Sequence, residues 1–342
     1  MFDIVDIHSH FFPYSWPDLA ERFGGDDWPW MRHDGPGKAT VMLGSKPFRP
    51  VYNACWDADV RLQEMDRDGV EQQLVCATPV LFCYGRPAAQ ALEVARIFND
   101  AALELCARGR GRLHALCQVP LQDTDAAVAE LERCMAAGHV GVQIGNHVGD
   151  KDLDEEALIA FLQRAAELDA PVLVHPWDML GGDSPRFGKY MLQWLVGMPA
   201  ETQLSILRLI LAGAFERLPR SLRICFAHGG GSFPYLLGRV ENAWRRRDIV
   251  REHCPNPPSS YLDRIHVDSA VFDARALRLL VEVMSEENIM FGTDYPFPLG
   301  EEPMGAMVKS SNLPSGTKAK VLKTNAHRFF NLGAPAERHS RQ

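Results

Sequence analysis

Eight short apolar runs, separated by longer segments of helical pattern, constrain the fold of this chain more than any other feature. The runs are rich in Val, Ile, Leu and Phe and do not alternate with polar residues, which is typical of parallel strands buried on both faces. Alternating strands and helices predict right-handed βαβ units, and eight units predict an α/β fold, a closed (β/α)8 TIM-like barrel. A doubly wound open sheet is the alternative, but no G-x-G-x-x-G follows the first strand. The predicted strands are residues 2–8, 71–79, 113–121, 139–145, 171–176, 222–229, 265–270 and 288–294.

The segments between the runs carry apolar residues at three- and four-residue spacing, which predicts amphipathic helices. In residues 55–69, Asp57 is placed as a helix N-cap and Gly69 as a stop signal. Three further segments have the same spacing: 90–108, 124–138 and 154–170.

Residues 14–55 break this rhythm, because they contain Pro, Gly, Trp and short extended pieces such as KATVMLG and PFRPVYN. We predict a small β-rich insertion after the first strand that caps the site. The predicted organisation is a barrel of residues 1–13 and 49–333, a cap of residues 14–48, and a frayed tail of residues 334–342.

Composition excludes several classes of protein. The 342 residues suffice for a barrel of roughly 250 residues with insertions. The formal net charge of −8 argues against a general surface for nucleic acids or anionic membranes. We expect no transmembrane helix and no signal peptide, because no long apolar run or basic leader is present. The eight cysteines form no CxxC pair, so we expect buried thiols in a cytoplasmic protein rather than disulfides or a Cys-based zinc site.

Five metal-capable side chains stand at four of the predicted strand ends. His8 and His10 end the first strand, and residues two apart in an extended segment point to the same side. His175, His228 and Asp294 end the fifth, sixth and eighth strands. Because catalytic groups of such barrels lie at the carboxyl ends of the strands, the pattern predicts a metal centre.

Imidazole and carboxylate ligands favour Zn²⁺, with Fe²⁺, Co²⁺ or Mn²⁺ as alternatives. We expect three histidines and one carboxylate to hold the ion, with a further position open for water. The end of the fourth strand, VQIGNHVG, offers no Lys or Glu to bridge a second ion, and we expect His147 to lie outside the coordination shell. One divalent ion per chain is therefore predicted.

This arrangement resembles the amidohydrolase superfamily, which has H-x-H on strand one, His on strands five and six, and Asp on strand eight. The segments HPWDM, MPAET and DYPFPLGE further resemble the family of 2-amino-3-carboxymuconate-6-semialdehyde decarboxylases. The resemblance implies a metal-dependent, non-oxidative carboxy-lyase without an organic cofactor. It implies that 2-amino-3-carboxymuconate 6-semialdehyde is converted to 2-aminomuconate 6-semialdehyde, in tryptophan breakdown through the kynurenine pathway or in nitrobenzoate catabolism.

The resemblance also implies roles for the five side chains. The metal ligands are His8, His10, His175 and Asp294, and His228 is the general base. His228 would take a proton from a metal-bound water, and the hydroxide would add to the conjugated substrate. The imidazolium would then protonate the carbon that loses carbon dioxide. A share of Asp294 in proton transfer stays open.

A substrate with two carboxylates needs local cations, and guanidinium groups bind carboxylates at two points. Arg49 matches the substrate arginine of the family. Arg239 and Arg247 match arginines supplied by a neighbouring subunit, which implies a homodimer, although without the resemblance they would be interpreted as solvated surface charges. Three further side chains are expected at the pocket, with core packing as the alternative for the two aromatic ones: Trp194, Phe297 and Met179.

Three other functions remain open at this point. A decarboxylase of an aromatic acid would use the same metal and base. A hydrolase of an anionic lactone or ring would also use them, but it would open a ring without releasing carbon dioxide. A binding protein that kept the barrel would show no turnover, and the complete set of five strand-end groups argues against it.

Overall fold

The computed structural model describes residues 3–182 and 184–333, and within them the strands and helices alternate as predicted. The predicted tail of residues 334–342 lies outside this part of the chain. The strands are β1 (Ile4–Phe11), β2 (Pro29–Gly35), β3 (Lys38–Leu43), β4 (Lys46–Tyr52), β5 (Val70–Ala77), β6 (Leu113–Ala115), β7 (Val142–Ile144), β8 (His147–Val148), β9 (Lys151–Asp152), β10 (Val172–Val174), β11 (Ile224–Phe226), β12 (His266–Asp268) and β13 (Ile289–Met290). The helices are α1 (Leu19–Phe23), α2 (Ala58–Asp68), α3 (Ala88–Arg108), α4 (Thr124–Ala137), α5 (Glu156–Glu167), α6 (Met198–Leu211), α7 (Ala214–Arg217), α8 (Phe233–Arg246), α9 (Asp248–Arg251), α10 (Ala274–Met284), α11 (Ala306–Ser310), α12 (Ser315–Ala319) and α13 (Asn325–Phe330).

Eight of these strands are parallel and close into a complete barrel. Three pair in the order β1-β5-β6, and five in the order β7-β10-β11-β12-β13. Cys117, just after β6, bridges in parallel to Val142 of β7. At the opposite seam, the amide of Ile7 in β1 donates to the carbonyl of Phe291, just after β13, at 2.9 Å. The predicted (β/α)8 barrel is confirmed.

Side chains inside the barrel form a core of their own. Val5 and Ile7 of β1, Leu173 of β10 and Met290 of β13 belong to it, and all four are fully buried. Helix α13 adds Phe329 to this cluster and closes the end of the barrel opposite the histidines of β1. A second layer of buried apolar residues lies between the strands and the surrounding helices. Successive residues of a strand thus face the barrel interior and the surrounding helices in turn. Because both environments are apolar, the eight runs of the sequence do not alternate with polar residues.

Helix α2 begins and ends at the capping residues predicted from the sequence. The side chain of Asp57 accepts from the amides of Asp59 and Val60 at the start of α2, and Gly69 ends that helix in the left-handed region with φ of 79°. The helices predicted within 90–108, 124–138 and 154–170 are α3, α4 and α5. Within residues 3–182 and 184–333, no helix is long and apolar enough to cross a membrane.

The segment after β1 contains a three-stranded antiparallel sheet in the order β2-β3-β4. Strand β3 is its centre, and Arg49 of β4 lies opposite Val41 of β3. The pairing of β3 with β4 continues to Tyr52, opposite Lys38, and therefore runs past residue 48. The boundary between the cap (residues 14–48) and the barrel therefore stays a prediction.

Arg61 is a fully buried arginine of α2 that ties β1 to its neighbours. Its guanidinium donates to the Ala54 carbonyl at 3.0 Å, to Gln73 Oε1 at 2.9 Å and to Ser9 Oγ at 3.1 Å. It also donates to the carbonyl of His10. The sequence pattern gave no sign of this role, because a lone arginine on an amphipathic helix is usually solvated. The end of β1 is thus held by a buried cation from α2.

Candidate metal centre

Three histidines and one aspartate meet at the carboxyl ends of the barrel strands. One ligand atom from each of His8, His10, His175 and Asp294 lies within 4.8 Å of the other three. The Nε2 atoms of His8 and His10 are 3.3 Å apart. Asp294 Oδ1 lies 3.1 Å from His10 Nε2 and 3.7 Å from His8 Nε2. The structure thus brings together the four residues that the sequence pointed to as ligands.

His8 and His10 of β1 are two residues apart in an extended strand, so both point to one side. The register between β1 and β5 shifts between Asp6 and Ser9. Ser9 points away from the centre, and its hydroxyl donates to the Leu74 carbonyl at 2.6 Å. His8 and His10 therefore share the side that faces the mouth of the barrel.

Asp268 is a functional residue that the sequence analysis missed. It ends β12, is fully buried, and its Oδ2 lies 2.7 Å from His8 Nδ1. Its Oδ1 accepts from the amides of Gly229 at 2.9 Å and Ala270 at 3.0 Å. Burial alone would raise the pKa of Asp268, but the hydrogen bond and the charge of His8 hold it below its usual value. A signal was present, since Asp268 lies two residues before the end of the seventh predicted strand, near the position that Asp294 holds in the eighth.

The hydrogen bonds leave nitrogen lone pairs available for an ion. His175 Nδ1 lies 3.0 Å from the Pro176 carbonyl, which can only accept, so Nδ1 carries the hydrogen. Its buried Nε2 has no partner among the described residues. The carboxylate of Asp268 likewise takes Nδ1–H of His8 and leaves Nε2 for a metal. A buried set of three imidazoles and one carboxylate fits a divalent transition-metal ion.

Burial keeps two of the three imidazoles neutral, which is the form that binds a metal. It lowers the pKa of His10 to about 4 and holds the pKa of His175 well below its usual value. Burial alone would also lower the pKa of His8, but the carboxylates of Asp268 and Asp294 raise it. Burial would raise the pKa of Asp294, but the hydrogen bond from His10 and the charges of the neighbouring histidines hold it low. Asp294 is therefore the ionised ligand and supplies one negative charge to the site.

His228 stands beside these four residues. Its ring centroid lies 5.1 Å from that of His8 and 5.0 Å from that of His175. Its Nε2 is 3.9 Å from Asp294 Oδ2, and neither ring nitrogen has a hydrogen-bond partner among the described residues. Burial lowers the pKa of His228, so the ring is neutral and can accept a proton at neutral pH. Its role as a general base stays a prediction.

His228 begins a tight turn below the site. Its own φ is 55°, and those of Gly229 and Gly231 are 63° and 61°. A Cβ on Gly231 would lie 2.2 Å from the Pro199 carbonyl oxygen, and a Cβ on Gly229 would lie 2.5 Å from the Val271 side chain. Only glycine satisfies both the backbone angles and the close approach. The glycine run therefore serves close packing beneath His228.

A cavity of about 410 Å³ opens at the metal centre. His10, His175 and Asp294 are part of its wall, and most of the remaining wall is apolar. A larger groove of about 730 Å³ includes none of the four metal-site residues. Four of the expected substrate residues line the smaller cavity: Arg49, Trp194, Phe297 and Met179.

Arg49 is the one arginine or lysine among the described residues that line this cavity. Its guanidinium carbon lies 4.0 Å from the ring centroid of Phe297 and 5.4 Å from that of Phe48. Burial lowers the pKa of Arg49, while the charge of Asp294 opposes this shift. The guanidinium is therefore held by two aromatic rings, which leave its N–H groups free for a carboxylate.

Arg239 and Arg247 do not line the cavity of their own chain. Arg239 lies on α8 and Arg247 immediately follows that helix, and both side chains are exposed. Neither guanidinium has an ion-pair partner within residues 3–182 and 184–333. The structure of one chain therefore places them on its surface, and their role in a partner's site is not decided by it.

Replacing Asp268 with asparagine is expected to weaken metal binding about 10- to 100-fold. The NH2 group of asparagine must replace one of the two carboxylate oxygens. If it faces His8 Nδ1, that nitrogen accepts the hydrogen bond, and the ring hydrogen moves to Nε2, the atom that would bind the metal. If it faces the amides of Gly229 and Ala270, it repels them. Titration against a chelating dye measures the affinity. Asp273→Asn is the matched control, because Asp273 caps α10 on the surface. Wild-type affinity in Asp268→Asn would contradict the assignment.

The chain is similar to known proteins over nearly its whole length. The profile of the amidohydrolase family matches residues 5–332. The chain is 41% identical to 2-amino-3-carboxymuconate-6-semialdehyde decarboxylase of Dictyostelium discoideum, over 96% of this chain and 91% of that protein. It is 32% identical to the decarboxylase of the same name from Caenorhabditis elegans, over 89% of this chain and 88% of that protein.

A solved structure supports the fold. A dihydroxybenzoic acid decarboxylase from Polaromonas, crystallised with manganese and the inhibitor 2-nitroresorcinol, superposes with a TM-score of 0.77 at 21% identity, covering 97% of this chain and 98% of that one. At this identity the likeness concerns the fold alone. Together with the closer relatives, it leads to one conclusion: the chain belongs to the amidohydrolase superfamily and, within it, to the family of the 2-amino-3-carboxymuconate-6-semialdehyde decarboxylases.

Proposed function

We propose that this protein is a metal-dependent carboxy-lyase that converts 2-amino-3-carboxymuconate 6-semialdehyde to 2-aminomuconate 6-semialdehyde. One observation carries the proposal. The four-residue metal site and Arg49 meet at a single cavity, with His228 beside them, in a chain 41% identical to such a decarboxylase over 96% of its length. The reaction belongs to tryptophan breakdown through the kynurenine pathway or to nitrobenzoate catabolism. A cytoplasmic location agrees with eight cysteines that are all free thiols.

We propose Zn²⁺ as the resident ion, held by His8, His10, His175 and Asp294. Three imidazoles and one carboxylate are ligands that zinc favours, and Mn²⁺, Fe²⁺ and Co²⁺ are alternatives. The Polaromonas decarboxylase was crystallised with manganese, which supports Mn²⁺ as one of these alternatives. When bound, the ion supplies Lewis-acid chemistry, including a nucleophile generated from water at neutral pH.

His228 performs the proton transfers in this proposal. Its neutral Nε2 lies 3.9 Å from Asp294 Oδ2 and accepts a proton from the attacking water, whose hydroxide adds to the substrate. The imidazolium then returns that proton to the substrate carbon that bears the departing carboxylate. Carbon dioxide leaves, and the electron pair of the broken bond expels the added hydroxide and restores the double bond of the product. Because the ring has no other hydrogen-bond partner among the described residues, its proton is not diverted to the protein. Asp294, as the nearest carboxylate, stabilises the imidazolium in between.

Arg49 and the apolar wall orient the substrate. The guanidinium binds one carboxylate at two points, and the rings of Phe297 and Phe48 hold its plane. Trp194 and Met179 exclude water from the conjugated chain of the substrate. A low local dielectric strengthens the attraction between Arg49 and the substrate. The carboxylate that is not bound by Arg49 is the one that reaches the metal centre and His228.

We further propose a homodimer in which Arg239 and Arg247 enter the partner's site. Both are exposed, and a dianionic substrate needs more positive charge than Arg49 supplies. Large apolar side chains near the cavity support an interface, since patches of this kind mark contact surfaces. Tyr190 is 81% exposed and Leu195 59%, on the segment that also carries Trp194.

Mixing two inactive variants tests the shared site. Arg49→Ala and Arg239→Ala should each turn over poorly, yet refolding them together should restore about a quarter of wild-type activity, because each mixed dimer contains one intact site. Mixing Arg49→Ala with Arg49→Ala/Arg239→Ala is the control and should restore nothing. No recovery in the first mixture would place Arg239 outside the partner's site.

The decisive experiment for the reaction follows freshly made aminocarboxymuconate semialdehyde. Its absorbance should fall in the presence of the purified protein, with one carbon dioxide released per molecule consumed. A chelator should stop the reaction, and Zn²⁺ should restore it. Substrate loss without carbon dioxide would indicate a hydrolase, and no metal-dependent loss would refute the proposal.

Decarboxylation of an aromatic acid is the second candidate function. It is favoured by the shared fold of the dihydroxybenzoic acid decarboxylase and by the aromatic wall that Trp194 and Phe297 form. Side-by-side kcat/KM values for the semialdehyde and for 2,6-dihydroxybenzoate separate the two. We expect the semialdehyde to be preferred, because a flexible dianion uses both the cavity of about 410 Å³ and its arginine.

A further inference from the structure

His147, outside the metal centre, contacts two backbone carbonyls at once. Its Nδ1 lies 2.7 Å from the Gly149 carbonyl, and its Nε2 lies 2.9 Å from the Asp178 carbonyl. Carbonyl oxygens only accept hydrogen bonds, so both ring nitrogens must donate. A neutral imidazole has a single N–H. The geometry therefore requires His147 to be an imidazolium.

Glu201 of α6 provides the matching negative charge. Its Oε1 lies 3.8 Å from His147 Nε2, and its Oε2 accepts from the amide of Leu180 at 3.1 Å. Glu201 is only 2% exposed, so an unpaired charge there would be costly. Both groups thus hold the segment Trp177–Gly182, which we call the strand-five loop because it follows β10, the fifth strand of the barrel.

We propose that protonated His147, paired with Glu201, is a positioning residue that fixes the strand-five loop in the shape the cavity needs. The loop carries Trp177 and Met179, which line the cavity. Asp178 has φ of 58°, an unfavourable angle for a residue with a side chain, and it persists only where the surroundings impose it. We call His147 and Glu201 the latch. His147 contacts the Asp178 carbonyl and Glu201 contacts the Leu180 amide, so the two contacts lie on either side of Met179.

The loop also connects to the substrate arginine. The ring of Trp177 lies 6.1 Å from that of Phe48, edge to face. Phe48 in turn packs against the guanidinium of Arg49 at 5.4 Å. Displacement of the loop would therefore loosen the support of Arg49 before it disturbs the metal site. The expected effect is on substrate binding more than on chemistry.

Carboxylates and one arginine surround His147 and Glu201. Burial would lower the pKa of His147, but the two carbonyls and the carboxylates of Glu201 and Asp178 raise it. Asp152 of β9 also faces Glu201. Burial and the charge of Asp152 raise the pKa of Glu201 above its usual value, and His147 offsets only part of this shift. Arg208 neutralises Asp152 at 3.1 Å. These charges favour the protonated form of His147, which its two carbonyl partners also require.

The sign of the pH dependence follows from this arrangement. The contribution of His147 to loop order is complete below its ordinary pKa. This contribution is lost as the pH rises through the raised pKa of His147 in the folded protein. Once the ring loses a proton, one of its nitrogens presents a lone pair to a carbonyl oxygen, and the two atoms repel each other. KM should therefore rise on the alkaline side, with kcat less affected.

Nitrogen NMR of zinc-loaded, ¹⁵N-histidine-labelled full-length protein tests the protonation state directly. Both ring nitrogens of His147, assigned by its absence in His147→Gln, should show imidazolium shifts at pH 7. A neutral tautomer at that pH would refute the proposal. This measurement needs no turnover, so it stands apart from the proposed decarboxylation, on which only the kinetic consequence rests.

Two variants test the consequence. His147→Gln and Glu201→Gln should each speed amide hydrogen exchange in the strand-five loop and raise KM about tenfold, because each removes a charge-assisted contact. Metal content should be unchanged, and the alkaline rise of KM should disappear. His253→Gln is the control, since His253 lies beside Glu252 on the surface, 68% exposed. Unchanged loop exchange in both variants would overturn the positioning role, and if one variant fails to fold, the other and the NMR spectrum decide.

Discussion

Replacing His228 with alanine is expected to lower kcat about 10²- to 10⁴-fold while the protein keeps its full metal content. The reason is the separation of roles in the site. His8, His10, His175 and Asp294 supply a complete set of ligands within 4.8 Å of one another. His228 has no hydrogen-bond partner among the described residues, and burial keeps it neutral. Its loss removes the proton carrier and leaves the four ligands in place.

Measurement of kcat and of bound metal on the same preparation checks this result. His228→Gln is a useful second variant, because it retains a polar side chain but cannot cycle a proton, and it should be equally slow. His175→Ala is the contrasting control, since it should lose metal and activity together. A metal-depleted His228→Ala would make His228 a ligand, and a near-normal rate would exclude it as the base.

Replacing Arg61 with methionine is expected to destabilise the folded protein by about 4 kcal/mol and to weaken metal binding as well. Methionine fills much of the space but leaves four buried acceptors without a donor. One of them is the carbonyl of His10, so the ligand loses its support. The guanidinium also stacks 4.9 Å from the ring of Tyr295, the residue after Asp294. Arg61 thus supports the metal site from two sides.

Denaturant unfolding and dye competition for the metal measure the two effects. Arg264→Met is the matched control. Arg264 is 8% exposed and donates to the carbonyls of Phe215, Leu218 and Pro219, away from the site. It should lose comparable stability with unchanged metal affinity. Equal metal affinities in both variants would show that Arg61 serves the fold alone.

The barrel and the metal site were predictable from sequence for one physical reason. In a parallel barrel every strand delivers its carboxyl end to the same face, so a residue's place relative to a strand end fixes its place in the site. His175 and Asp294 could be assigned in this way without knowing any contact. The same reasoning applied to Asp268 would have found the support of His8, but that residue lies within an apolar run and was interpreted as part of a strand.

Arg61 and the latch of His147 could not be predicted in this way. Arg61 lies between Val60 and Leu62 on an amphipathic helix, and only the tertiary structure shows that it points inward. His147 was expected outside the coordination shell, and it lies there, but its two carbonyl partners come from loops whose conformation no periodicity determines. The roles proposed for Arg239 and Arg247 in a partner's site stay predictions.

The seam between β1 and β13 has a consequence for the biosynthesis of this protein. His8 and His10 precede Asp294 by more than 280 residues of the chain, and the hydrogen bond from Ile7 to Phe291 joins the same two regions. The complete ligand set therefore exists only after almost the whole barrel has left the ribosome. A chain that ends before residue 294 lacks the carboxylate ligand, so we expect the complete metal site to form only with the closed barrel.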